Sequence, residues 1–168
     1  NEWEALAPAG PYDTFGPELS FGATLSSKSR KPIAIAKFTH SGSQIIDWTP
    51  EGSVAKARNL YPDFLAFVKA SIADLEERGH DVRLAGIVYH VGENDMSFHP
   101  YRREAAVRLA ALIAASRVEL ELPELQWFVS QQRPTDHESV NTVDVVADIA
   151  ALAAADEHYA HLLAFDPP

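Results

Sequence analysis

Cysteine is missing altogether from this 168-residue chain. Its absence excludes a disulfide framework, an iron–sulfur cluster, a cysteine-based zinc site and a cysteine nucleophile. Basic residues are outnumbered, 14 Lys and Arg against 24 Asp and Glu, for a formal charge of −10. Nucleic-acid binding runs on clustered Lys and Arg, so this balance argues against nucleic acid as a partner. No apolar run approaches the roughly 18–20 residues of a membrane span. The opening, Asn1-Glu2-Trp3-Glu4, is neither a signal peptide nor an initiator methionine, so a processed or incomplete chain is expected. Repeats, linkers and low-complexity segments are lacking as well. One domain over residues 1–168 is expected, because chains of about 150 residues bury about 70% of their unfolded surface.

What is present is an alternation of two hydrophobic periods, the pattern of a parallel α/β sheet. Residues 31–38, KPIAIAKF, read as a first buried strand. Residues 61–78 carry Phe64, Val68, Ile72 and Leu75 at helical spacing, with Pro62 in the first turn and Gly79 as the stop. Residues 83–90 read as a second strand, 101–117 as a helix and 125–130 as a third strand. A helix over 140–156 and a short strand over 162–165 complete the series. The alanines of 150–155 read as helix, not as a spacer. The first thirty residues read as a loop followed by a short helix. The expected fold is α/β, a three-layer sandwich with a central parallel sheet flanked by helices.

In open parallel sheets ligands bind beyond the carboxyl ends of the strands. Three polar segments follow the expected strands: Thr39–Gln44, His90–Asp95 and Gln131–Glu138. Gly42 would let a backbone N–H approach a substrate oxygen, and Asn94 offers an amide donor. Together they could form an oxyanion hole, although a turn role for Gly42 and a capping role for Asn94 explain either residue alone. His137, beside Asp136, is a candidate base. His90, Glu93, Asp95 and His99 form a set of nitrogen and oxygen ligands, which leaves a metal-dependent hydrolase open; no His-Glu-x-x-His spacing accompanies them. Trp48, Tyr89 and Phe98 could stack on sugar rings or serve as core. His158 and His161 read as residues near a helix end, complementing its dipole.

The segment Gly92-Glu93-Asn94-Asp95 after an apolar strand resembles the G-x-N-D block of the SGNH hydrolases. The stretch FGPELSFG over 15–22 resembles the opening helix of their carbohydrate acetylesterase branch, the sialate O-acetylesterase-like (SASA) domains. Residues 33–38 followed by Ser41-Gly42-Ser43 and Asp47-Trp48 resemble the same branch, as does the 83–93 stretch. The resemblance implies an SGNH, flavodoxin-like fold and serine-dependent removal of acetyl groups from a carbohydrate, with no cofactor and no metal. It assigns the oxyanion hole to Gly42 and Asn94, and places Ser43, Glu93, Asp95 and His90 around the substrate, with Glu93 and Asp95 bracing the loop that carries Asn94 and doing no chemistry themselves. It points, on family grounds alone, to a secreted or periplasmic protein. His90 departs from the family pattern. No Gly-Gln-Ser or Gly-Asp-Ser occurs, and no Asp-x-x-His. The expectation is therefore a domain lacking its serine block and its histidine block, with His137 the remaining base candidate. A non-catalytic module that binds carbohydrate or protein is the alternative.

Overall fold

A computed structural model describes residues 3–7, 16–97, 99–131 and 145–163, with Glu93, His99 and Leu163 described by their backbone alone. The chain divides into two compact units, residues 1–37 and 38–168. In the first, helix α1 (Glu18–Lys28) follows Pro17. Its Gly22 is buried where Leu6 and Ile35 close over the helix; a Cβ there would stand 2.6 Å from Leu6 and 2.8 Å from Ile35. Lys37 Nζ reaches back to Glu18 at 3.0 Å.

The second unit is built on a parallel sheet. Strands β1 (Ile87–Val91), β2 (Trp127–Gln131) and β3 (Tyr159–Leu163) stand in the order β1-β2-β3, all parallel. Helix α2 (Tyr61–Glu77) precedes β1, α3 (Glu93–Ser97) and α4 (His99–Glu119) lead from β1 to β2, and α5 (Val145–Ala155) leads into β3. This is an α/β fold with a parallel sheet and helical connections, as parallel pairing requires. Gly79, at φ +86°, ends α2 as expected, its N–H and that of His80 taking up carbonyls of the last turn. The alanines of 150–155 are helical up to Ala155.

Alternation sorts the sheet residues by face. Trp127, Val129 and Gln131 are buried, with Val91 and Tyr159 beside them. Val88, Phe128 and Leu162 point the other way and are exposed. Helix α4 meets the core along one stripe, Ala105, Leu109, Leu112, Ile113 and Ser116, the three- and four-residue spacing of a helix face. It packs on α5, α3 and a 3-10 helix, Ile45–Trp48.

Several elements differ from expectation. Residues 31–38 form no strand: they have no ladder partner, and Ile33 is 42% exposed. The apolar residue there that packs most is Phe38, in the second unit, whose ring meets Trp48 at 5.6 Å and Phe67 at 5.3 Å. Its hydrophobicity serves an aromatic cluster, which periodicity does not distinguish from a ladder. β1 starts at Ile87, not at residue 83, and β3 at Tyr159, not at 162. His161 accordingly lies in a strand, where its Nε2 pairs with Gln131 Oε1 at 2.7 Å. Helix α3 was not expected at all, since residues 92–95 read as a loop.

Leu109 is fully buried and Val107, two residues before it, is 73% exposed. Leu109→Ala is expected to lower the unfolding free energy by about 2–5 kcal/mol through the cavity it leaves. Val107→Ala is expected to stay within about 0.5 kcal/mol. Denaturant unfolding of the two variants checks both.

Candidate functional site

The site starts from two short segments that the chain separates by some fifty positions and the fold joins. The first is the turn at Ser41-Gly42 running into the 3-10 helix. Gly42 sits at φ +65°, a left-handed conformation that a side chain would strain, although open space surrounds it. Its carbonyl accepts from Arg58 Nη1 at 3.1 Å. The same guanidinium nitrogen reaches Asp47 Oδ2 at 3.2 Å, and that oxygen also accepts the Gln44 N–H at 2.9 Å. The turn is thereby pinned at both ends by Asp47, which is wholly buried, and by Arg58.

The second segment is α3. Met96 is fully buried, and its sulfur receives Gln131 Nε2 at 3.2 Å. Gln131 in turn accepts from His161, so one chain of contacts runs from β3 through β2 to α3. Burial pushes the His161 imidazole below its usual pKa, which favours the neutral ring. A neutral ring that donates through Nε2 suits the Gln131 oxygen.

Asp95 joins the two segments. It is 2% exposed, and both its oxygens accept the backbone N–H of Ile45, at 3.1 and 3.0 Å. Burial drives its pKa up from 3.8 to about 7; the Ile45 N–H, Arg108 and Lys56 oppose the shift, and the Asp47 charge adds to it. The Tyr89 hydroxyl, buried beside Asp95 and Asp47, is pushed well above its ordinary range by desolvation and by both carboxylates.

The expected site residues are thus sorted. The segment that follows the Gly42-Ser43 turn is linked to the Asn94-Asp95 pair by the Asp95–Ile45 hydrogen bond, with Ser43 and Asn94 both half-buried. Glu93 opens α3, but its side chain lies outside the description. Asp95 is buried and braces the Ile45 N–H with both oxygens. His90 is separated from this group. It alternates with Tyr89, so its ring lies on the other face of β1, where Nδ1 stands 3.2 Å from Ser130 Oγ across the ladder. His137 lies outside the described residues, as does Phe98. Trp48 and Tyr89 are core, not sugar platforms: their rings meet at 6.1 Å, and Tyr89 meets Trp127 at 6.2 Å. Among the described residues no group of three His, Asp or Glu side chains could hold a metal. Arg58 carries no local sequence signal of the carbonyl it meets, and its half-buried position follows from the fold alone. A hollow lined by Ala114, Arg117, Val118, Glu121 and Pro123 lies toward the far end of α4 and includes none of these residues.

Residues 4–163 match the sequence pattern of the carbohydrate esterases described as sialic acid-specific acetylesterases, SASA. The match spans nearly the whole chain. The chain belongs to the SASA family. Ester hydrolysis on carbohydrate is this family's kind of reaction, and an acetylated carbohydrate fits it as substrate. No curated protein and no solved structure matches the SASA chain. No described helix is long and apolar enough to cross a membrane.

Asp95 ties this SASA domain's stability to pH. Its carboxyl titrates near 3.8 when unfolded and near 7 when folded, so the folded state binds the proton more tightly. The stability this confers is complete below about pH 3.8 and is lost as pH rises through about 7. The Tm of the unsubstituted protein minus that of Asp95→Asn is therefore expected to fall between pH 4 and pH 8. Thermal denaturation across that range checks it, and a constant difference contradicts it.

Proposed function

We propose that this protein is a carbohydrate O-acetylesterase, in which the Gly42 N–H and the Asn94 side-chain amide take up the negative charge on the acetyl oxygen. The observation that supports this reading is the Asp95–Ile45 contact, which ties the Gly42 turn to the helix bearing Asn94. In the reaction a serine hydroxyl attacks the acetyl carbonyl and a histidine takes its proton. The carbonyl oxygen becomes an oxyanion, held by donors about 3 Å away. Collapse returns the proton to the departing sugar oxygen, and water then releases acetate from the acyl-serine. His137 is the proposed base, and Ser43 and Glu93 are the proposed substrate contacts.

Acetate release from O-acetylated sugars by the full-length protein tests the proposal. Asn94→Ala is expected to lower kcat by about 10²–10³, the usual loss for one oxyanion donor. An unchanged kcat would remove Asn94 from the site.

A second reading rests on a specific sequence fact: no Gly-Gln-Ser, Gly-Asp-Ser or Asp-x-x-His occurs in these 168 residues. In that reading the fold binds carbohydrate or a partner protein without turning substrate over. Oxyanion donors without an activated nucleophile leave little rate. The isolated 168-residue polypeptide is accordingly expected to show no turnover of a chromogenic acetate ester above buffer. Turnover abolished by His137→Ala would overturn that expectation and place the base at His137.

A further inference from the structure

We propose that Asp95 is a positioning residue: its buried carboxylate, clamped on the Ile45 N–H, sets the Gly42 turn against the helix of Asn94. Three observations carry this. Both carboxylate oxygens lie within 3.1 Å of one backbone nitrogen, that of Ile45. Ile45 is fully buried and opens the 3-10 helix three residues after Gly42, which leaves little slack between the clamp and the turn. Asp95 directly follows Asn94 in α3, and α3 is itself anchored by the buried Met96 and Gln131. A shift of Ile45 therefore moves the Gly42 turn relative to a helix that stays put.

The groups facing Asp95 come from every element packed around it. Asp47 stands on the 3-10 helix, Lys56 in the following loop, Tyr89 on β1 and Arg108 on α4. The ionised carboxylate makes a charge-assisted hydrogen bond, shorter and stronger than the neutral one. Burial opposes that ionisation, so the clamp tightens as Asp95 ionises near neutral pH although global stability declines. Protonation leaves Ile45 with a neutral acceptor and loosens the turn.

The role assigned to the clamp rests on Gly42 and Asn94 being the oxyanion donors; the clamp itself does not. The test therefore has one readout that needs no activity. In the ¹⁵N-labelled protein the Ile45 amide proton is expected to move downfield as pH rises through about 7, with Gly42 and Ser43 following at the same midpoint. Asp95→Asn, nearly the same shape and unable to ionise, is expected to abolish the step. Asp47→Asn is expected to keep it and lower its midpoint, because the Asp47 charge raises the Asp95 pKa. An Ile45 signal flat from pH 5 to 9, or a step that survives in Asp95→Asn, would overturn the clamp.

The second readout is the rate of acetate release by the full-length protein, the one in which the esterase reading is tested. Asp95→Asn is expected to lower kcat by up to about 10²-fold, the cost of misplacing a reacting group by about 1 Å, with KM little changed. Its pH–rate profile should lose an inflection near 7. A profile and kcat like those of the unsubstituted enzyme would overturn the positioning role even where the amide step is present. Absence of acetate release from every variant, the unsubstituted protein included, would overturn the esterase reading and the positioning role with it, while the amide titration still decides the clamp.

Discussion

One backbone N–H, that of Ile45, carries the connection on which the site depends. It lies in the interior, where an unpaired amide costs a substantial part of a hydrogen bond's strength. Asp95 supplies the acceptor, and in doing so brings a carboxylate into the same interior. The cost of burying that charge appears as a pKa raised to about 7, and the nearby Asp47 increases it. Arg108 and Lys56 offset part of it without removing it. A buried carboxylate poorly matched by cations is a weak device for stability and a strong one for geometry, because it satisfies a donor that no other described side chain reaches.

The rest of the second unit holds the two clamped segments in place. An aromatic series runs Phe67, Phe38, Trp48, Tyr89 and Trp127, with neighbouring ring centroids 5.3 to 6.2 Å apart. Edge-to-face and tilted pairs of this kind fix ring orientation as well as burying area. They attach α2 and the 3-10 helix to the covered face of the sheet. At the other end Arg117 ties α4 to the strand starts, donating to the Leu125 and His158 carbonyls at 3.0 Å and to Asp156. The opposite face of the sheet differs: Val88 is 54% and Leu162 67% exposed. Parallel sheets are ordinarily covered on both sides, so these strands carry the composition of a doubly buried sheet on a face the described residues leave open.

Family membership and local geometry constrain different things. The SASA match over residues 4–163 supplies the class of reaction. The geometry supplies the reason a turn near residue 42 and a helix near residue 94 act as one unit. Neither depends on the acidic balance of the surface, which bears on solubility and on the partners the chain avoids.

Periodicity and punctuation in the sequence determined the helices α2, α4 and α5, the parallel character of the sheet and the stop at Gly79. Those features depend on residues within a few positions of one another, and local sequence encodes them directly. The strand expected over 31–38 failed because a strand exists only through its partner; apolar residues without a ladder pack elsewhere, as Phe38 does. For the site, the residue types at Gly42, Asn94 and Asp95 were readable from their order along the chain. Their roles were not. That Asp95 meets the Ile45 N–H, that Arg58 pins the Gly42 carbonyl, and that His90 turns to the opposite face were decided by the tertiary structure. Each depends on which groups meet across sixteen or fifty residues, or on which side of a pleated strand a side chain emerges, and packing alone sets both.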